Sequence, residues 1–535
     1  MLGSPVTDIP PVPFSIPRGT DAATLIDALR GHLSLGLREE PARNPTLTLL
    51  DTFDWRVHEA GGYLALEAAG KARRLTWWPP DASAALASAP VPGLPRFVTD
   101  LPPGDLRERL TTVVETRALL PLVRLRSHVR PFDLIDGSEK TVLRLTLEEH
   151  RAEGAGHRNG PWLRRLRVLP VRGYPQAVDE VLRLARGPLG LSAEERPLHE
   201  EALAAVGRAP GDYSSSLDFQ LAPDQRADAA LQVVLRRLLD TALANEDGIR
   251  RQIDTEFLHD LRVAVRRARS LLGQVKGVFP DRNVQVLRKE LGWLGSRTNV
   301  ARDMDVYLHA LETYRGALPS GLADRLEPLR GFLLEHRARA YRDLGVMLDS
   351  ARFRRLVHRW RGLARRPSPR RPTAPRAAQP IARVARKRIW RAYRGVMRAG
   401  SAIRRSSPPR ALHEVRIACK KLRYLMEFFR SLFPAESIGQ LIKALKAFQD
   451  NLGEYQDLAV QQDQLRGFER AMAREGGLPA KTREAMERLV EHLAGRQAEV
   501  RQHFAERFAE FSGEETTGTF RRLFRAAPKP GEASA

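Results

Sequence analysis

The stretch that decides the fold is His259-Asp-Leu-Arg262-Val-Ala-Val-Arg266-Arg267-Ala-Arg269, because the chain writes it twice. The second version is His413-Glu-Val-Arg416-Ile-Ala-Cys-Lys420-Lys421-Leu-Arg423, offset by 154 residues. The offset persists outward. Phe279-Pro280 matches Phe433-Pro434, Lys289 matches Lys443, Asp303 matches Asp457 and Val306 matches Val460, so about 50 positions align without a gap. A duplicated unit that keeps one His and four cations in register implies one anion site built from two halves.

On a helix at about 100° per residue, His259, Arg262, Arg266 and Arg269 make one stripe about 80° wide and about 15 Å long. Leu258, Leu261, Val265, Ala268 and Leu272 gather on a different face, which reads as core. Arg267 stands apart, on the other side of His259. The second copy repeats the stripe with His413, Arg416, Lys420 and Arg423. Like charges three and four residues apart each oppose the helix by a few tenths of a kcal/mol (about 0.2–0.5). Asp260 and Glu414 lie off the stripe and relieve little of this, so an anion is expected to neutralise the row. Arg offers planar forks to phosphate oxygens, Lys a point charge, and His a donor through either ring nitrogen. Lys289 and Lys443 occupy equivalent places on the next helix of each copy, and Lys446 sits one turn beyond. Asp303, Asp305 and Asp457 read as partners of the cations or helix caps, so no metal ligand set is assigned.

Working outward, residues from about 225 show the 3.6-residue period of amphipathic helices over 227–244, 256–272, 284–294, 303–311, 323–348, 381–398, 409–432, 438–450, 458–472 and 481–511. This predicts an all-α domain over 224–515, with repeats at about 224–350 and 378–515. A Pro/Arg-rich linker, 365–380, separates them, where Pro367, Pro369, Pro372 and Pro375 interrupt any helix. Residues 516–535 read as a flexible tail.

Residues 1–220 read as a separate α/β domain. Leu47–Asp54 and Tyr63–Glu67 are strand candidates joined through Gly61-Gly62. Leu122–Arg126 and Thr141–Glu148 alternate apolar and polar residues, with a turn over Asp133–Lys140. Gln176–Leu184 and Glu194–Ala205 look helical. Pro210-Gly211-Asp212 and Pro223 mark the boundary.

Charge separates the two domains as sharply as periodicity does. Residues 1–223 carry 27 Lys+Arg against 28 Asp+Glu, and the remainder 61 against 36. The whole excess of the +24 chain therefore lies in the helical part, where a polyanion should bind. Cys419 is the only cysteine, which excludes an intramolecular disulfide, and it reads as a small buried hydrophobe. The N-terminus has no basic leader followed by an apolar stretch, so no secretory signal is expected. No apolar run approaches the roughly 20 residues of a membrane span. A cytoplasmic protein with no membrane partner is the expectation.

The His-x-x-Arg-x-x-x-Arg/Lys-Arg/Lys-x-Arg signature, written twice, each time followed by Phe-Pro, resembles the conserved-histidine α-helical domains, the CHAD family, over about 224–515. Arg302-Asp303-Met-Asp305-Val306 extends the likeness in the first copy; Gln456 stands where Arg302 would repeat. The resemblance implies two pseudo-symmetric four-helix bundles flanking a basic channel, binding of inorganic polyphosphate, and association with polyphosphate granules. The binders it implies are His259, Arg262, Arg266, Arg267, Arg269, His413, Arg416, Lys420, Lys421 and Arg423, with Lys289, Lys443 and Lys446 as further candidates.

The first 220 residues are similar to the CYTH, or triphosphate-tunnel, family, an antiparallel barrel that often precedes a CHAD domain. Leu50-Asp51-Thr52-Phe53-Asp54-Trp55-Arg56 resembles its Tyr-x-Asp-Thr-x-Asp strand. Leu122-Val-Arg124-Leu-Arg126 and Val142-Leu-Arg144-Leu resemble its basic tunnel strands. The family's opening Glu-x-Glu-x-Lys is absent: the equivalent strand is Val12-Pro-Phe-Ser-Ile-Pro-Arg18. Those carboxylates would hold the activating divalent metal. Glu67 and Glu148 remain and read as surface residues.

Three functions are compatible with these residues. The first is polyphosphate binding without chemistry, with no catalytic residue and no cofactor. The second is a triphosphatase or polyphosphate-processing enzyme in which Arg124, Arg126, Lys140 and Arg144 clamp phosphates, with Mg²⁺ or Mn²⁺ required only if that domain is active. The third is nucleic-acid binding, which the charge alone permits. The motif stripes carry no aromatic residues for base stacking, so this reading ranks below the first. No oligomeric state is implied.

Overall fold

The computed structural model describes residues 12–17, 19–82, 84–154, 160–194 and 196–525. The chain divides into two compact units between Ser214 and Ser215.

The first unit runs β1 (Val12–Ser15), α1 (Ala22–His32), β2 (Gly36–Glu39), β3 (Thr46–Asp51), α2 (Arg56–Glu59), β4 (Tyr63–Ala69), β5 (Ala72–Trp78), β6 (Ala87–Pro90), α3 (Asp105–Val114), β7 (Leu120–Ile135), β8 (Thr141–Glu153), β9 (Trp162–Pro170), α4 (Pro175–Arg186), β10 (Ser192–Ala193) and α5 (Leu198–Ala205). The strands form one 10-stranded antiparallel sheet in the order β10-β1-β9-β8-β7-β3-β4-β5-β6, with β2 alongside β7. α1 and α4 cover Phe132, Leu134, Leu143 and Leu145, and α3 covers Leu64, Leu66 and Leu75. The expected strands at Leu122–Arg126 and Thr141–Glu148 are parts of the long β7–β8 hairpin, which turns at Asp136–Lys140. The expected opening strand is present as Val12–Ser15, while Arg18 lies outside the described residues. The predicted helix at Glu194–Ala205 starts only at Leu198, because Ser192 and Ala193 pair with β1 and Pro197 sets the helix entry.

The second unit is helical: α6 (Ala227–Ala244), α7 (Glu246–Arg250), α8 (Thr255–Gln274), α9 (Asp281–Arg297), α10 (Asn299–Gly316), α11 (Glu327–Asp349), α12 (Ala351–Arg365), α13 (Ile381–Ser401), α14 (Pro409–Phe428), α15 (Ala435–Arg474), α16 (Ala480–Gln502), α17 (Phe504–Phe511) and α18 (Glu514–Phe524). The repeat is visible in the succession of elements. α8 corresponds to α14, and the pair α9–α10 corresponds to α15, one helix of 40 residues where two were expected. Between α9 and α10 stands Thr298, whose hydroxyl donates to the Leu294 and Gly295 carbonyls. Hydroxyl back-bonding of this kind loosens a helix. Its counterpart Leu452 is buried and offers no such competition.

Two segments depart from expectation. Residues 351–365, read only as Arg-rich, form α12, capped by Ser350 Oγ accepting from Phe353 N at 3.1 Å. The predicted tail at 516–535 is corrected over its first part, since Glu514–Phe524 is α18. There Phe520 stacks on Tyr393 at 4.0 Å and Phe524 meets Phe433 at 4.9 Å, so aromatic burial holds it in place. Residues 526–535 lie outside the described residues. The linker after α12 has no helix until Ile381, yet it is strapped to the first copy: Arg226 Nη2 donates to Pro369 O at 2.9 Å and Gln232 Nε2 to Arg366 O at 2.7 Å.

Candidate anion-binding site

α8 begins at Asp254, whose carboxylate accepts from Glu256 N and Phe257 N. It buries Leu258, Leu261, Val265, Ala268 and Leu272, the set that periodicity selects, and this turns the basic stripe away from the core. α14 starts with Pro409 in its first turn and buries Leu412, Val415, Cys419 and Leu422. Burial pushes the Cys419 thiol up to about 12, so it is inert packing.

The two motif helices pack against each other. Their cations are close enough to interact: the Lys420 amine is pushed down to about 8 by burial and by the positive charges of Arg416, Arg266 and Arg423. Arg266 belongs to the first copy and Lys420 to the second. The two rows therefore approach one another where α8 packs on α14. Further along, Tyr307 of α10 meets Phe468 of α15 edge-on at 5.0 Å, a second join between the copies.

Each row member has its own surroundings. Arg262 is half-buried; its Nη1 donates to Gly295 O at 3.0 Å and to Thr298 Oγ1 at 2.6 Å. Burial, Arg266 and Arg302 hold its pKa below the usual guanidinium range. Arg416 instead pairs with Asp457 Oδ1 at 3.0 Å, and Arg423 with Glu427 Oε1 at 3.3 Å. Among the described residues Arg266, Arg269 and Lys420 form no direct ion pair; Asp457, already taken by Arg416, acts on Lys420 only at longer range. His413 is oriented by Gln456, Nδ1 to Oε1 at 2.8 Å, and His259 is half-buried at the matching position. With Nδ1 donating to Gln456, a protonated ring would present its Nε2–H to an anion.

Two motif cations leave the rows. Arg267 donates to Ser215 O at 3.2 Å and to Glu427 Oε2 at 3.4 Å, as its separate place on the wheel suggests. Lys421 lines a different cavity beside Arg388 and Arg391. Lys289, Lys443 and Lys446 are exposed on α9 and α15. The acids behave as partners: Asp457 takes Arg416, and buried Asp305 accepts from Arg337 Nε and Tyr341 OH, both at 2.7 Å. Burial raises the carboxyl of Asp303, while Arg262 and Arg302 pull it back.

Sequence reasoning missed Gly292 and Gly295 on α9. Arg262 reaches the Gly295 carbonyl, and the Arg269 guanidinium carbon lies 3.6 Å from where a Cβ of residue 292 would be. Their counterparts are Lys446 and Gln449, so the second copy places a cation and an amide where the first has bare backbone.

In the sheet unit the four expected phosphate clamps do not converge. Arg124 and Arg126 are exposed on one sheet face, Arg126 pairing with Glu153; Arg144 lies on the other face, against Asp133; Lys140 is in the turn. Strand alternation sends Arg124 and Arg126 outward beside buried Leu125. The polar cluster is elsewhere. Ser127 Oγ and His150 Nδ1 are 2.8 Å apart, His150 Nε2 and Glu148 Oε2 3.2 Å, and Arg167 reaches Glu148 at 3.3 Å. Glu148 is thus buried and partnered, contrary to a surface reading, because it shares a sheet face with His150 on its own strand and with Arg167 of the neighbouring β9. Glu67 is exposed. Arg165 pairs with Glu194 and, at 2.7 Å, with Glu201. Burial together with Glu201 and Glu148 pushes Glu194 up to about 7 despite Arg165. Carboxylates already engaged by Arg and His do not fit a divalent cation, and among the described residues no three His, Cys, Asp or Glu side chains are grouped to hold one. The Asp-Thr-x-Asp motif is a structural turn. Asp51 accepts from Thr52 N, Val57 N and His58 N, and Asp54 pairs with Arg56 and Arg117.

Among described residues no helix is long and apolar enough to cross a membrane. No curated protein matches the chain. Three solved structures are similar in part. The CHAD domain from the plant Ricinus communis is 26% identical, with a TM-score of 0.47, covering 55% of this chain and 96% of that one. PptA from Streptomyces chartreusis is 19% identical, with a TM-score of 0.40, covering 53% and 99%. A putative adenylyl cyclase from Hippeastrum, described as having a dominant triphosphatase activity, is 11% identical, with a TM-score of 0.27, covering 38% and 99%. The family model of the CHAD domain matches residues 233–466, the span that holds both cationic rows. The helical unit of this chain therefore contains a CHAD domain.

Proposed function

We propose that the helical unit binds inorganic polyphosphate between its two cationic rows, and that this binding places the protein at polyphosphate granules. The observation that carries the reading is the apposition of Arg266 and Lys420, cations of different copies close enough for one to depress the other's pKa. Such crowding is costly until an anion neutralises it. Arg266, Arg269 and Lys420 form no direct ion pair among the described residues, and they offer charge to a ligand. A flexible chain with one charge per phosphate suits two facing rows, and the absence of aromatic residues from the stripes gives bases nothing to stack on.

The test is equilibrium binding of long-chain polyphosphate to the full chain and to R266A/R269A/K420A, with DNA of equal total charge as competitor. The expected result is a loss of about 100-fold or more in the triple variant and a salt slope shallower by about two to three units. Unchanged binding, or displacement by DNA at equal charge, would sink the reading. Granule placement is tested separately, by whether a fluorescent fusion of the triple variant disperses from granules that the parent marks.

A further inference from the structure

The 154-residue offset can be applied to contacts as well as to residues. Arg267 of α8 meets Glu427 of α14 at 3.4 Å. The offset converts Arg267 into Lys421 and Glu427 into Gly273. The equivalent contact should then be Lys421 with Gly273, a cation facing a residue with no side chain. At that place the structure has a cavity of about 690 Å³, and both residues line it. The acid that closes one side of the pseudo-symmetric pair is missing from the other.

What surrounds the cavity is mostly positive. Lys276, Arg388, Arg391 and Lys421 line it against a single acid, Glu414. Glu414 is already paired with Arg410 at 3.2 Å. Arg388 is half-buried, and its Nη2 holds the Lys276 carbonyl at 2.9 Å, which fixes the guanidinium at the cavity wall. Burial, Arg376 and Arg391 keep it below its ordinary pKa, the mark of cations packed without a counter-ion. Lys276, Arg391 and Lys421 are exposed and have no acidic partner among the described residues. No aromatic side chain lines the cavity.

We propose that this cavity is a second oligophosphate site, separate from the paired rows, so that one helical unit holds two phosphate segments at once. Lys420 and Lys421 are consecutive on α14 and diverge by about 100°, which sends one into the rows and the other into the cavity. Arg388 and Arg391, one turn apart on α13, offer two forks to successive phosphates. The missing ring excludes a nucleotide held by stacking. The ligand class rests on the polyphosphate reading of the rows; the existence of the site does not.

The experiment is calorimetric titration of tripolyphosphate, too short to bridge proteins extensively, into the full chain. Two variants accompany it: K276E/R391E, which reverses two exposed charges, and R266A/R269A/K420A. Circular dichroism confirms that both fold. The expected stoichiometry is two per chain for the parent and one for each variant, with the site kept by K276E/R391E retaining its affinity within about twofold. A parent that binds one, or a K276E/R391E variant that still binds two, overturns the proposal. A row variant that still binds two while K276E/R391E binds one supports the cavity and refutes the rows. Dynamic light scattering with long polyphosphate gives a second readout: the parent should form larger assemblies than K276E/R391E, and equal size would count against two sites.

Discussion

Arg262 Nη1 donates to Thr298 Oγ1 at 2.6 Å, whereas its counterpart Arg416 turns to Asp457 Oδ1 at 3.0 Å. The same cation is hydrogen-bonded by neutral groups in one copy, with Asp303 acting on it only at longer range, and directly ion-paired to the matching acid in the other. The halves of the site therefore hold this cation differently although they match in sequence. Replacing Asp457 with Asn should release Arg416 and tighten polyphosphate binding about two- to fivefold at low salt, the scale of a partly exposed ion pair. Thr298→Val should instead weaken it by loosening Arg262. Equal effects of the two substitutions in a binding titration would contradict the asymmetry.

Lys420 titrates at about 8 when no anion is bound. A polyphosphate chain against it favours the charged form and raises that pKa. Binding above pH 8 must therefore take up a proton, and affinity must fall as pH rises from about 8 towards 10. Calorimetry at pH 8.5 in two buffers of different ionisation enthalpy should give an uptake of up to about one proton, absent in Lys420→Met. In the free protein the sign for stability is opposite to that of a raised base. The folded state binds fewer protons than the unfolded state between about 8 and the ordinary lysine value of 10.5, so this group favours folding more as pH climbs through that window.

Glu427 ties up two cations, Arg267 of the other copy and Arg423 of its own helix. Glu427→Gln should leave both charges for the ligand and steepen the salt dependence of binding by about one unit per charge released. The cost is a weaker join between α8 and α14, expected as a modest fall in stability of about 1 kcal/mol. A chemical denaturation series run beside the salt titration separates the two effects.

In the sheet unit, Asp51 satisfies three backbone N–H groups. Asp51→Ala should destabilise the unit by about 2–3 kcal/mol, since the buried N–H groups are left without an acceptor. Burial raises Asp51 to about 6, above its ordinary 3.8. Its protonated form therefore contributes stability that is full below about pH 4 and is lost as pH rises through 6 and the carboxyl ionises. Asp51→Asn should flatten that part of the pH–stability curve, measured by urea melts followed at Trp55, which is buried nearby.

The basic rows were legible in the sequence because a helix converts spacing directly into direction. His259, Arg262, Arg266 and Arg269 needed no tertiary information to be placed on one face. Arg267 could be set apart for the same reason. Its partner Glu427 could not, since that contact depends on how α8 and α14 cross. α12 escaped notice because its apolar set is sparse: Phe353, Leu356, Trp360 and Ala364 are embedded among six arginines, and composition masked the stripe. The Ser127–His150–Glu148 chain was out of reach for a different reason. Ser127 and His150 meet because β7 and β8 pair in one register, and a slip of one residue would send them to opposite faces. The same holds for Arg124 and Arg126, whose basic character was visible and whose facing was not.

The 40-residue α15 is about 60 Å of unbroken helix, while its counterpart is interrupted at Thr298. Mechanically the two halves of the domain are a rod and a jointed arm. Bending the rod would strain a continuous ladder of backbone bonds, but the arm can flex where a hydroxyl already competes for them. Any yielding to a thicker or thinner ligand should therefore fall on the first copy, and the second supplies the fixed wall against which it is gauged.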